Sequence, residues 1–286
     1  MQANPERNRC GEKPARHPSD NRWERNRLHW EQTLDAHNLA GEARPAQLER
    51  DLALFETADV RWALRAIEPL RGRVVLDVGG GLALAAVLMA RRGARVVISD
   101  ISLPRLKEAR RNLERLGLAG RVDLVVAAAE TLPLADSSVD HVFTKSVLIH
   151  TRLPEAAREC GRVLAPGGCG AFIEPRTGNP FVNLYRRVGA PGIWRTITTY
   201  FREQEFRTLL DGLRRGSGEK GAVRYRAFFL LGFFASAFAF ALPMPRVYRV
   251  FERVLLAADS ALFRVFPGLR KRAWFGVLVF RKADKP

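Results

Sequence analysis

The segment LDVGGGLALA, residues 76–85, places three consecutive glycines directly after an apolar run, with Asp77 two positions before the first of them. Glycine has no Cβ, so a loop of this kind lets a ligand approach backbone N–H groups closely. Dinucleotide loops use the spacing G-x-G-x-x-G, which seats a pyrophosphate on the following helix N-terminus. Gly79 and Gly81 meet that spacing, but Leu84 stands at the third position, and the pattern present is D-x-G-x-G. A second carboxylate, Asp100, closes the next apolar run. Each acid has a structural alternative. Asp77 would serve as a helix N-terminal acid stabilised by the dipole, and Asp100 as a cap before Pro104. Their joint placement at the carboxyl ends of adjacent strands, where open α/β sheets bind ligands, favours a ligand site. His150, in KSVLIHT, is the candidate base because imidazole titrates near neutral pH; its alternative is a hydrogen bond to its own loop. No metal is expected. The five histidines (17, 29, 37, 141 and 150) are scattered without ligand spacing, and Cys10, Cys160 and Cys169 are too few for a zinc cage or a disulfide framework.

The elements that position these residues alternate in type. VVLDV (74–78) reads as a strand buried on both faces, followed by a helix over 82–92 that stops at Gly93. RVVIS (95–99) is the next strand, and a helix from Pro104 to Leu116 follows. VDLVV (122–126), DHVFT (140–144) and CGAFIE (169–174) supply three more strands, with a helix from Pro154 to Leu164 before the last. Asp140, at the start of its strand, reads as structural. This order predicts a parallel sheet with helices on both faces. Residues 23–71 carry a weakly amphipathic helix (Trp23, Leu28, Trp30, Leu34, Leu39) and a clearer one running from Pro45 to Pro69. Residues 1–22 are polar and proline-bearing, the expectation being a disordered tail.

The pattern changes after Pro175. EQEFRTLLDGLRR (203–215) predicts a helix, followed by a glycine-rich loop over 216–221. An uncharged run of 19 residues then extends from Ala227 to Pro245. It allows three readings: a buried or lid helix, a helix dipping into one leaflet, or a membrane span, which needs about 20 apolar residues. A basic amphipathic helix comes next, with Val247, Val250, Phe251, Val254, Leu255, Ala258, Leu262 and Val265 on one face. AWFGVLVF (273–280) reads as a final strand.

The chain has 286 residues and a formal charge of +17, and its last 111 residues hold 21 basic and 7 acidic groups. Such a field attracts phosphate, on nucleic acid or on an anionic membrane, although an arginine-rich composition alone would also produce it. Hydrophobic residues at 47% and charged residues at 27% exclude a disordered, collagen-like or coiled-coil chain. The N-terminus lacks the apolar stretch of a signal peptide. The expected compartment is the cytoplasm, with the inner face of the membrane as a surface for peripheral contact.

Taken with Asp100, the segment VVAAAETLPLADSSVDHVF (125–143) and the turn RVLAPGG (162–168), the D-x-G-x-G loop resembles the class I S-adenosylmethionine-dependent methyltransferases, specifically the bacterial type-11 group. The resemblance covers residues 72–175 well and the final strand more loosely. It implies a doubly wound, mostly parallel seven-stranded sheet, a Rossmann-like α/β fold with N-terminal helices and a helical insertion before the last strand. It implies S-adenosyl-L-methionine as cofactor, held at its methionine end by Asp77, Gly79, Gly80 and Gly81. Asp100, with its neighbour Ile101, would take the ribose, since a carboxylate accepts bidentately from a cis-diol. Ala129 and Glu130 would serve adenine, and the Lys145 carbonyl the cofactor's amino group. Two positions depart from the family pattern: Ala83 where a glycine is usual, and Ala128 where an aspartate often meets adenine. The second loses a hydrogen bond worth about 0.5–1.5 kcal/mol.

The expected domains are the tail (1–22), N-terminal helices (23–71), a cofactor-binding core (72–175), a helical acceptor or lid region (176–270) and the last strand (271–286). Asn179 and Tyr185 are candidates for the acceptor pocket, whereas Glu174 reads as a strand end. The function implied is direct in-line methyl transfer to a small or lipid-like acceptor. The rivals are methylation of RNA or protein, for which no nucleic-acid motif is present, and a non-catalytic membrane-associated protein that keeps the fold.

Overall fold

The computed structural model describes residues 22–36, 45–189, 192, 197–241 and 243–284. The tail expected before residue 22, Cys10 and the end of the first helix over 37–39 lie outside them. A seven-stranded sheet organises the chain. Its strands are β1 (Val74–Val78), β2 (Arg95–Asp100), β3 (Val122–Val126), β4 (Val139–Lys145), β5 (Leu164–Pro175), β6 (Ala222–Phe228) and β7 (Phe275–Arg281), in the order β3-β2-β1-β4-β5-β7-β6. The pairs from β3 to β5 are parallel, whereas β7 runs antiparallel to both β5 and β6. The strand order reverses at β1 and β4. The chain leaves β1 towards one face of the sheet and β4 towards the other, which opens a crevice between their carboxyl ends.

Alternation along each strand sends side chains to two separate cores. Val75, Val96, Ile98, Phe143, Ala171 and Val277 face one layer, built from α2 (Pro45–Phe55), α3 (Ala58–Ala66), α4 (Leu84–Arg91) and α5 (Leu103–Arg115). Leu76, Val142, Phe172 and Leu278 face the other, formed by α6 (Leu153–Val163) and α8 (Glu203–Ser217). The remaining helices are α1 (Arg22–Ala36), α7 (Pro180–Val188), α9 (Phe233–Ala241) and α10 (Pro245–Val265).

Helices α6 and α8 touch backbone to backbone. A Cβ on Gly216 would land on the Arg158 carbonyl, and one on Gly161 would land on the Leu213 carbonyl. Overpacking of this kind costs about 1–3 kcal/mol. Gly216→Leu should therefore lower the melting temperature by several degrees; an unchanged thermal transition by circular dichroism would show that the two helices separate freely.

Two expectations change. The helix from Pro45 to Pro69 is two helices, broken at Thr57, whose ψ of 168° is extended. The first N–H of α3, on Ala58, is satisfied by Glu252 at 2.8 Å, a partner 194 residues away that no local pattern could reveal. The uncharged run 227–245 is not one helix. It holds the end of β6, a turn at 229–232, and the nine-residue α9. Asn179 and Asp259 break it. The Asn179 amide donates to the carbonyls of Phe229 and Leu230, and the Asp259 carboxylate accepts from the N–H groups of Leu230 (2.9 Å) and Leu231 (2.8 Å). Among the described residues no helix is long and apolar enough to cross a membrane. Helix α10 turns its apolar face outward. It buries Tyr248, Glu252 and Asp259 (1%, 0% and 1% exposed) and presents Val250, Val254 and Val265 (59%, 61% and 68%) to solvent.

Candidate cofactor and acceptor site

The glycine loop leaves β1 and enters α4 through a series of left-handed residues. Gly79 and Gly81 have φ of 67° and 51°. At Gly79 a Cβ would stand 2.5 Å from the Val147 side chain, so no larger residue fits without moving the loop after β4. Ala83, at the position where the resemblance leads one to expect glycine, is also left-handed, at φ 71°. An alanine held there costs about 1–2 kcal/mol, which burial of its methyl group, worth about 0.8 kcal/mol, offsets in part.

Asp77 lies beneath the loop. One side of its carboxyl meets the N–H of Ala86 in the first turn of α4, and the other oxygen, Oδ2, is buried with no partner. Both readings of this acid therefore have support: it caps the helix, and it keeps one oxygen for something else. Burial first, and then the nearby charge of Asp100, push its pKa up to about 8. The native state thus holds a proton that the unfolded chain has already released, and stability falls as pH climbs from the ordinary carboxylate range towards 8. Asp77→Asn should flatten this fall in melting temperature between pH 5 and 8. A variant with the wild-type slope would remove Asp77 as its source.

Asp100 closes β2 beside the loop. Its Oδ2 accepts the N–H of Gly81 at 3.0 Å and its Oδ1 that of Ser102 at 2.9 Å, with the Ile101 N–H also directed to it. Burial raises its pKa; these N–H donors and the Arg105 guanidinium oppose the rise. The half-buried Ile101 sits at the same bend. Across the crevice, Ala129 is buried, while the Glu130 carboxylate accepts the N–H of Arg152 at 2.8 Å, where α6 begins. One oxygen of the Glu130 side chain thereby ties the crevice wall to the start of α6. Lys145 is similar. Its ammonium pairs with Asp59 (2.7 Å) and lies over the Phe275 ring, which leaves its backbone carbonyl as the candidate group for the site.

His150 stands at the crevice mouth. Its Nδ1 lies 3.3 Å from the Ile197 carbonyl, an obligate acceptor that places the proton on Nδ1 and makes Nε2 the basic nitrogen. The loop carrying it is pinned from below by Glu174, which is fully buried at the end of β5 and accepts the N–H groups of Val147, Leu148 and Ile149 at 3.1–3.4 Å. Glu174 is therefore more than a strand end. Asn179 does not face the crevice. Asn179 is buried, caps α7 and ties down the 229–230 turn, and Tyr185 is exposed on α7. Asp140 accepts the N–H of Val74 at 2.8 Å, at the far end of the sheet, as a structural residue does.

Sequence reasoning missed what covers the crevice. The α1 helix lies across it: Asn26 donates to the His150 carbonyl at 3.0 Å, and the Trp30 ring meets the His150 ring edge-on at 5.3 Å. Arg105 lies over Trp30 at 5.1 Å, and its guanidinium stands 2.5 Å from where a Cβ of Gly81 would be. The only signal in the sequence was a tryptophan pair on a weak helix.

These residues fit a cofactor that carries a vicinal diol and an amino-acid end. The loop admits close approach of a ligand to the backbone, Asp77 has an unpartnered buried oxygen, and Asp100 is an acceptor at the neighbouring strand end.

Comparison with known proteins agrees with the geometry. Residues 76–172 match the family model described as a methyltransferase domain. A ubiquinone/menaquinone biosynthesis C-methyltransferase from Rubrivivax gelatinosus is 32% identical over 163 residues, covering 55% of this chain and 62% of that protein. A bifunctional biotin biosynthesis protein from Cellvibrio japonicus is 34% identical over 140 residues, covering 48% of this chain and 26% of that protein. The chain thus spans less than two thirds of the length of these relatives. Among solved structures, a geranyl diphosphate C-methyltransferase from Streptomyces coelicolor shares the fold, with a TM-score of 0.58 at 14% identity, over 94% of this chain and all of that one.

Proposed function

We propose that the protein is an S-adenosylmethionine-dependent methyltransferase acting on a small or lipid-like acceptor. The observation that carries the reading is the pairing of a left-handed glycine loop with Asp77 below it and Asp100 beside it, at the point where the strand order reverses. When bound, S-adenosylmethionine supplies a methyl group already activated on a sulfonium, so the chain need provide no nucleophile. Asp77 and the loop N–H groups would hold the amino-acid end of the cofactor, Asp100 the ribose, and the backbone at Ala129 and Glu130 the adenine. His150 Nε2 would take a proton from an acceptor that must lose one, while Trp30 and α1 exclude water. The relatives matched by the core are named for different syntheses, so the acceptor is chosen by the segments outside it. The quinone-pathway name of one relative supports an apolar acceptor. Transfer of a labelled methyl group to fractionated host-cell extract tests the reading: label in the lipid or small-molecule fraction supports it, and label confined to RNA or protein overturns it.

The outward apolar face of α10 favours an acceptor reached at an anionic membrane surface. Along one edge of that face stand Arg246, Arg253 and Arg264, all exposed. Arg249 is paired instead with Glu56 at 3.2 Å. Apolar insertion flanked by basic groups, each worth about 1 kcal/mol near an anionic surface, is how interfacial helices bind. Val250→Asp with Val254→Asp should abolish co-sedimentation with phosphatidylglycerol vesicles while leaving cofactor affinity unchanged. Wild-type protein that stays in the supernatant would contradict the membrane assignment.

A further inference from the structure

A cavity of about 590 Å3 opens between α3, the edge strand β6, α10 and the turn at 267–272. That volume lies within the range of small-molecule sites. No residue between 76 and 150 lines the cavity, so it is separate from the crevice.

Its charge is one-sided. Arg65, Arg226, Arg264 and Arg270 line it, and none of the four has an acidic partner among the described residues. A fifth arginine, Arg61, is paired with the buried Glu252. The one lining carboxylate, Asp259, is buried and turned into the 230–232 turn, where backbone N–H groups engage both of its oxygens. Four guanidinium groups around one space repel one another, and an anion that accepts from several of them relieves that repulsion. Guanidinium is planar and matches the oxygens of phosphate two at a time.

Much of the remaining wall is aromatic. Trp62 and Phe228 lie with ring centroids 6.0 Å apart, and the Arg226 guanidinium sits 5.0 Å over Phe228. Phe263 closes the α10 side. Phe228 is buried and backs the wall, while Trp62 and Phe263 are half-buried. A purely inorganic anion would leave the open faces of those two rings in water, whereas a ligand with an apolar body covers them. We propose that this cavity binds a phosphate-bearing amphiphile, its phosphate on the arginines and its hydrocarbon against Trp62, Phe228 and Phe263. Arg264 stands between the cavity and the outward apolar face of α10, which suits a ligand that leaves or enters an apolar phase.

The test reads binding to the full chain without S-adenosylmethionine, so it does not depend on the methyl-transfer reading. Calorimetric titrations use octyl phosphate, dihexanoyl phosphatidate below its micelle concentration, inorganic phosphate and a short single-stranded oligonucleotide. Octyl phosphate should bind at least about tenfold tighter than inorganic phosphate, because burial of its chain adds to the charge-assisted hydrogen bonds. The Arg226→Ala/Arg264→Ala variant should lose about tenfold or more towards both, and Phe263→Ala should lose only the preference for octyl phosphate. Tighter binding of dihexanoyl phosphatidate than of octyl phosphate assigns the site to a lipid headgroup, and the reverse order to a soluble phosphoester. Both arginines are exposed and neither touches the glycine loop, so circular dichroism and cofactor affinity should match the wild type. Equal affinity of wild type and the arginine variant, no binding of either amphiphile, or preference for the oligonucleotide would overturn the proposal.

Discussion

Gly79→Val should remove S-adenosylmethionine binding altogether. Two independent effects act at this position. The backbone holds φ at 67°, a region that a β-branched residue rarely enters. A Cβ there would also lie 2.5 and 2.6 Å from the two methyl groups of Val147, in the loop that carries His150. Either the glycine loop or the loop after β4 must move, and both border the crevice. A loss of more than about a hundredfold in affinity corresponds to roughly 2.7 kcal/mol, well within what a clash and a forced φ together cost. Gly79→Ala carries the same Cβ on a less restricted backbone, so its loss should be smaller. Calorimetric titration of both variants checks the order; normal binding by Gly79→Val would sink the assignment of the loop to the cofactor.

The second large effect is expected at Asp100. Losing a carboxylate acceptor costs about 1.5–3 kcal/mol, which is roughly 10- to 150-fold in affinity. The structure adds a reason for the upper end of that range. The same carboxylate accepts the N–H of Gly81, so Asp100→Ala also frees one end of the glycine loop. Asp100→Asn keeps the shape and an acceptor oxygen, and its affinity should fall between wild type and alanine. Wild-type affinity in Asp100→Ala would place the ribose elsewhere.

Much of the core was legible because its signals are local. Apolar runs ending in glycine or an acid marked β1 and β2, and the continuous run of β1 pointed to burial on both faces, where Val75 and Leu76 lie in the two separate cores. The positions of Asp77, Gly79, Gly81 and Asp100 followed from strand ends alone. The parts that escaped depend on distant partners. The break at Thr57 rests on Glu252, and the break of the 227–245 run rests on Asn179 and Asp259. The edge strand β6 was hidden because five of its seven residues are exposed, so its pattern carries no buried face. The role of Glu174 was invisible because its three N–H donors come from a loop 25–27 residues earlier. In helix α10 the direction of the apolar face was not legible. Its apolar periodicity was real, but the buried face is the polar one, held by Glu252 on Arg61 and Ala58 and by Asp259 on the 230–232 turn. Periodicity reports a face and cannot say which side of it the protein occupies.

The central claim is that the crevice formed by the glycine loop and Asp100 is a cofactor seat. Calorimetric titration of the wild-type protein with S-adenosylhomocysteine, the product form of the cofactor, tests it most directly. The account predicts one binding site per chain, weakened at least about tenfold in Asp100→Ala while the Arg226→Ala/Arg264→Ala variant binds as the wild type does. Absence of binding by the wild-type protein, or equal affinity in Asp100→Ala, would contradict it.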